Sequence, residues 1–316
     1  MSKTSASFSR ERLPFNQRIK KDLRSNWSLY LMLLPPLLYI ILFHYLPMGG
    51  LVIGFQNYNF RKGILHSQWI GLTNFKQFFS SMYFPRTLGN TLILSAYGFL
   101  FSVPAAIILA LLLNEVRARK FKRIVQTISY LPYFISMVVA VGILADFCKS
   151  NGLLTQFINL ITGGHNTNLL GQAKFFRGLF IGSNIWQHVG YNSIIYMSAL
   201  TGIDQELYEA AKIDGANRWK QTLHVTLPGL APTIIILLIL RVGEVMTLDY
   251  EKVLLMYTPA TYSTADIIQT YVYRVGLVNG NYSYATAVGL FNSVVSIILI
   301  VLANAFSRKV TETSLW

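Results

Sequence analysis

The chain has 316 residues, 53% hydrophobic and 13% charged, with a mean hydropathy of +0.44; soluble domains carry about 25% charged residues, so the composition excludes an ordinary water-soluble globule and indicates a polytopic membrane protein. The net charge of +14 comes from 27 Lys and Arg spread over tails and short loops, a topological bias rather than a nucleic-acid surface. The single Cys148 excludes an intramolecular disulfide and reads as a packed residue.

In chain order, residues 1–27 form a polar basic tail whose Arg18, Lys20, Lys21 and Arg24 suit anionic lipid headgroups. A helix needs about 20 mainly apolar residues to cross a hydrocarbon core of about 30 Å. Six runs meet that length, at 29–53, 88–113, 124–147, 178–200, 230–248 and 285–306, inside a membrane domain over 28–307. The first is too long, and too interrupted by Pro35, Pro36 and Pro47, for a cleavable signal, and reads as a retained helix. With the N-terminus inside, 17 Lys and Arg fall on the cytoplasmic side and nine outside, Arg241 lying within span five; an even span count returns the 308–316 tail to the cytoplasm.

Three outer segments are expected. Residues 54–87 hold Phe55, Tyr58, Phe60, Trp69, Phe75, Phe78, Phe79 and Tyr83, as suits a loop at the outer interface. The 148–177 and 249–284 segments have the composition of loops with short helices. The latter carries seven tyrosines, from Tyr250 to Tyr284, which suit interfacial anchoring or, alternatively, contact with an external solute carrier or a sugar.

Span four bears Asn184, Gln187, His188, Tyr191 and Asn192, recurring at i, i+3/4 and i+7/8 as one polar stripe. Amides and hydroxyls facing lipid would lack partners, so the stripe faces the bundle interior or water. It either lines a pathway for a hydroxyl-rich solute or joins helices by hydrogen bonds. Tyr133, Ser136, Asn292 and Ser296 are weaker pathway candidates. Arg241 and Glu244 on span five share a face and are expected to pair; facing a cavity, Arg241 would instead attract a carboxylated sugar.

Between spans four and five, Gln205 to Ile213 are good helix formers with Leu207, Ala210 and Ala211 on one face. Gly215 supplies a left-handed turn, Asn217 an N-cap for a second short helix bearing Trp219 and Leu223, and Pro228 is expected to end that helix. Glu209 is expected to make a salt bridge or cap a backbone end. No phosphate-binding loop or H-E-x-x-H is present, and the five histidines are scattered, so the chain carries no catalytic or metal motif.

This hairpin, 204–228, resembles the EAA loop of the membrane subunits of ABC importers: Glu209, Ala210, Ala211, Gly215, Leu227 and Pro228 match its pattern, with Asp214 and Ala216 of the sugar-importer version. In that family the loop is a coupling helix seated in a groove of the cytoplasmic ATPase. The stretch from Phe43 to Tyr58, and that from Tyr271 through Ala287 to Phe291, resemble permeases for complex oligosaccharides, in the maltose-type superfamily. The resemblance implies an all-α type I ABC importer permease fold with six transmembrane helices, in the bacterial cytoplasmic membrane. It implies a second homologous permease, two ATPase subunits binding ATP and Mg, an extracytoplasmic solute-binding protein, and an oligosaccharide substrate, with alginate or pectin fragments as acidic possibilities. No cofactor is expected on this chain. It also implies that span four lines the solute path. An ion-coupled secondary sugar transporter is the alternative, resting on Arg241 and Glu244 alone; a membrane enzyme would need a reactive cluster the sequence lacks.

Overall fold

The computed structural model describes residues 23–165 and 167–311. Arg18, Lys20, Lys21 and the end of the C-terminal tail lie outside the described residues. The chain divides into two compact units, residues 1–52 and 53–316. The first holds most of span one, Trp27–Phe55. There Pro35 and Pro36 sit inside the helix Trp27–Ile40, followed by a π turn at Ile41–Tyr45.

In the second unit a two-residue antiparallel pairing of Gln56–Asn57 with Gln68–Trp69 precedes the helix Thr73–Phe79. The all-helical reading missed this hairpin, whose strands are too short to alternate detectably. Span two is Tyr83–Glu115, span five Arg218–Gly243 and span six Tyr282–Thr311. The apolar windows of these three helices are only 17, 17 and 22% buried, so most of their apolar surface faces outward, as lipid requires. Span four, Ala173–Thr201, has 29 residues, or about 43 Å of helix, enough to cross despite its polar stripe.

Two spans depart from expectation. Span three is broken into Arg119–Phe134 and Met137–Cys148, bent by 102°. Pro132 cannot donate, and Ser136 caps the second piece by accepting from Val139 N, so the backbone restarts in a new direction. Span five begins at Arg218 and ends at Gly243, five residues short of the expected end. Beyond it, turns over 244–249 include Leu248 at φ +32° and lead into the outer helix Tyr250–Met256.

Prolines do not end these helices because π turns precede them. Ile41–Tyr45 lies ahead of Pro47, Gly98–Ser102 ahead of Pro104, and Thr222–Thr226 ahead of Pro228. Each extra residue shifts the hydrogen-bond ladder where the missing proline N–H falls, so the helix continues. At the third site Leu227 N still reaches Thr222 O. Pro228 therefore stands in the first turn of Leu227–Gly243, inside one long helix, and does not end the hairpin's second helix as expected.

Span four is the packing axis, touching spans two, three and five. Gly190 makes this possible: a β-carbon there would run into the backbone carbonyl of Ser129 on span three. An outer core gathers Leu94, Phe176, Phe180, Val253, Met256 and Ile267; a second gathers Phe78, Met246, Ile268, Tyr271, Tyr284 and Val288. A third, beside the 204–228 hairpin, holds Ala106, Ala110, Tyr196, Leu200, Ile203 and Leu230.

The segments expected outside are pinned by Asp266, fully buried. It accepts two bonds from Arg274 (2.7 and 3.1 Å), one from Arg86 on span two (3.1 Å) and one from Thr270 (3.0 Å). Burial pushes the Arg274 guanidinium down while its bonds to Asp266 push it up, with the latter winning. Asn90 ties this cluster to Arg177 of span four (2.9 Å). Of the outer tyrosines, Tyr271 and Tyr284 are buried and hydrogen-bonded together at 3.2 Å, so they serve the core and neither interface nor partner.

Candidate functional site

The 204–228 hairpin folds as its residue types require. Asp204 caps the helix Gln205–Ile213 by accepting from Glu206 N at 3.0 Å. The cap is thus Asp204 and not Glu209, which stays exposed and makes no ion pair among the described residues. At the far end Gly215 takes φ +73°. Ala216 N reaches Ala211 O at 2.8 Å and Gly215 N reaches Lys212 O at 3.0 Å, the paired bonds of a Schellman turn. Asn217 then accepts from Lys220 N at 2.9 Å, as its N-cap position requires.

These turns leave a protruding tip. Ile213 is 86% exposed and Trp219 69%, with Leu207 and Leu223 also exposed. Ala210, Asp214, Gly215 and Pro228 are exposed, and Ala211 and Leu227 half-buried. The hairpin is fastened at its base, where Tyr208 Oη meets Thr226 Oγ1 at 3.0 Å and Arg218 pairs with Glu115 at 2.6 Å. A tip of this size, apolar and rigidly held, suits insertion into a complementary groove.

The second candidate region is a pair of cavities of about 260 and about 290 Å3 that share Ser102, Val103, Asn192, Arg241 and Glu244 in their walls. Asn184, His188 and Asn192, one helical turn apart, line the first from span four, Asn192 reaching both, and Ser95, Asp249 and Thr247 also line the first. Gln187 and Tyr191 do not. Gln187 is buried and donates to Ile135 O at 3.3 Å, satisfying a carbonyl freed by the break in span three. Tyr191 stacks on Tyr133 with centroids 3.8 Å apart and planes 2° from parallel, and the Tyr133 ring also meets His188 edge-on.

Arg241 and Glu244 are not joined to each other among the described residues. They lie where span five gives way to turns, and both side chains reach into the cavity. The expected pairing is thereby corrected: three residues of regular helix would face them together, but Glu244 is already past the helix end. Asp249, which sequence reasoning did not single out, accepts from Asn184 at 2.8 Å. Its signal was an acidic side chain close to the end of span five, but its return to span four depends on the 244–249 turns. Asn292 Oδ1 and Ser296 Oγ, on span six, are buried without a hydrogen-bond partner among the described residues. Ser136 is used as a cap.

Chemically, the cavities offer amide, hydroxyl and imidazole groups for sugar hydroxyls, one guanidinium, and two carboxylates. These are groups that can hydrogen-bond a polar solute; no cluster of metal-ligating residues occurs among the described residues.

Comparison with known proteins places these features in context. A family model described as "Binding-protein-dependent transport system inner membrane component" matches residues 102–312. Protein LplB of Bacillus subtilis (strain 168) is 45% identical over 294 residues, covering 93% of this chain and 92% of that protein. The polygalacturonan/rhamnogalacturonan transport system permease protein YteP of the same organism is 43% identical over 288 residues, with 91 and 90% coverage. A chain of the crystal structure of a bacterial alginate ABC transporter, in complex with alginate pentasaccharide-bound periplasmic protein, superposes with TM-score 0.85 at 40% identity, covering 94% of this chain and all of that one.

Proposed function

The chain belongs to the family of binding-protein-dependent transport system inner membrane components, and on that premise we propose how this permease of an oligosaccharide ABC importer works and what it carries. Its substrates are oligosaccharides bearing carboxylates, of the uronate class. It acts with a second homologous permease, two ATPase subunits that bind ATP and Mg, and an extracytoplasmic solute-binding protein, with both of its termini in the cytoplasm. ATP hydrolysis belongs to the partners.

One observation carries the mechanism. The helix Arg218–Gly243 leaves the exposed hairpin and runs for 26 residues, with Arg241 of the cavity wall in its last turn. At 1.5 Å per residue it is a lever of about 39 Å, with Arg241 about 36 Å along it. A partner that grips Ile213 and Trp219 displaces the helix foot, and a helix held by its own ladder transmits that displacement to the Arg241 wall. Closing and opening of the ATPase pair then selects between two cavity shapes, each ligand shifting the population by its preference for one of them. Asn184, His188 and Asn192 exchange hydrogen bonds with sugar hydroxyls, and Arg241 meets the carboxylate as a bidentate partner. Uronate relatives in the comparisons support this substrate class.

The test is reconstitution with the neighbouring permease, ATPase and binding protein, measuring ATPase activity with uronate and with neutral oligosaccharides. Stimulation by uronates alone is expected. Stimulation by neutral sugars only would overturn the acidic assignment, and uptake driven by an ion gradient without ATPase subunits would restore the secondary-transporter alternative.

A further inference from the structure

Lys252, on the outer helix Tyr250–Met256, is 1% exposed. Its ammonium has three protons to place, yet its hydrogen bond is a long one, 3.4 Å to Gln187 Oε1. No carboxylate lies within 4.0 Å of it among the described residues. Asp249, three residues earlier, is engaged by Asn184 at 2.8 Å. A position that only filled space would be better served by methionine, since burying an ammonium without an ion partner is costly. The charge therefore has a use beyond packing.

That use lies at the cavity whose wall includes Asp249, three residues before it. Gln187 is its hydrogen-bond partner and Asp249 acts on it electrostatically, and Asp249 and Glu244 in the wall outnumber Arg241 by two to one. We propose that Lys252 is a specificity-determining residue: its charge, held behind Gln187 and Asp249, offsets the second cavity carboxylate and lets a carboxylated sugar approach Arg241. The proposal rests on the acidic-oligosaccharide reading above. No direct contact with the sugar is needed, because charges interact strongly through a poorly solvated wall.

Burial lowers the Lys252 ammonium to about 8, against the opposing pull of Asp249. Its charge is present below that pH and lost above it. The other charged or titratable groups around this helix are Tyr250 and Glu251 on the helix itself, His188 of span four, Arg241 across the cavity, Asp146 and Cys148 on Met137–Cys148, and Tyr271 and Tyr273 on Ile268–Tyr273. Asp146 is exposed and paired with Lys149.

The experiment uses the whole importer in proteoliposomes and compares uptake of a galacturonate trisaccharide with that of a neutral galactose trisaccharide, from about pH 7 to about pH 9.5. The acidic-to-neutral uptake ratio is expected to fall roughly tenfold across this range in the unaltered protein. Lys252→Arg should hold the ratio high throughout, and Lys252→Gln should hold it low throughout, the binding protein being the same in every arm. Acidic uptake that ignores both pH and Lys252→Gln overturns the role of Lys252 alone. Equal loss of both sugars in Lys252→Gln and Lys252→Arg shows a structural role and overturns it as well. Failure of the unaltered importer to carry the acidic trisaccharide at any pH overturns the acidic-oligosaccharide reading itself.

Discussion

Replacing Gly215 separates a backbone effect from a steric one. A β-carbon built there meets nothing within 4 Å, and φ is +73°. Alanine therefore clashes with nothing and costs only the left-handed conformation, about 1–2 kcal/mol. Asparagine, which tolerates that region better, should cost less. Proline cannot take a positive φ and also lacks the N–H that reaches Lys212 O, so the two turn bonds are lost with it. At about 1 kcal/mol for each bond, the total for proline is about 3–4 kcal/mol. With every 1.4 kcal/mol worth about tenfold, the equilibrium in favour of the observed turn should weaken about 5- to 27-fold for alanine and by more than about a hundredfold for proline. The assay is ATP-driven uptake per assembled transporter, with assembly followed by co-purification of the ATPase. Uptake should rank Gly, Asn, Ala, Pro while membrane insertion stays normal, because the turn is exposed and outside the three cores. Equal uptake for all four, with normal assembly, would refute the claim that this turn geometry couples the subunits.

Ala211→Trp, half-buried beside the same turn, should abolish uptake while leaving insertion intact, as measured by the same two assays. Gly190→Ala forces a methyl group into the Ser129 carbonyl at the crossing of spans three and four; overpacking of this kind costs about 1–3 kcal/mol, and a lowered thermal midpoint in detergent checks it. Asp266→Asn leaves Arg86 and Arg274 without their buried carboxylate and should destabilise by about 3–5 kcal/mol, read from unfolding in mixed micelles. Arg241→Gln removes the lone guanidinium of the cavity wall and should cut uronate uptake at least about tenfold with little change for a neutral trisaccharide; equal effects on both sugars would exclude a carboxylate contact.

Much of the architecture was legible because lipid imposes a simple length rule and because special conformations demand special residues. Gly215 and Asn217 are two such positions, and Asp204, which caps the first helix without having been singled out, is a third of the same kind. The prolines misled for the same reason that they usually inform. Pro228 lacks a donor, but the π turn that absorbs this is a register change in the ladder, with no residue type of its own to announce it. Pro132 did interrupt its span, where Ser136 stood ready to cap a new start.

The polar stripe illustrates the remaining gap. Periodicity placed Asn184, Gln187, His188, Tyr191 and Asn192 on one side of span four, but a side of a helix covers more than one environment. Neighbouring elements divided it: Asn184, His188 and Asn192 to the cavity, Gln187 to the broken backbone at Ile135, Tyr191 to Tyr133. Arg241 and Glu244 separated for a related reason, since their spacing implies contact only while the helix lasts.

The sequence by itself determined what depends on neighbours along the chain: the membrane class, the ends of spans one, two, four and six to within about five residues, the outline of the 204–228 hairpin, and the resemblance that names its family. Tertiary structure alone decided what depends on neighbours in space. It returned Asp249 to Asn184, buried Lys252 against Gln187, and set two carboxylates beside one arginine in a cavity. The first two contacts join residues 65 positions apart, and no local periodicity encodes a distance of that kind.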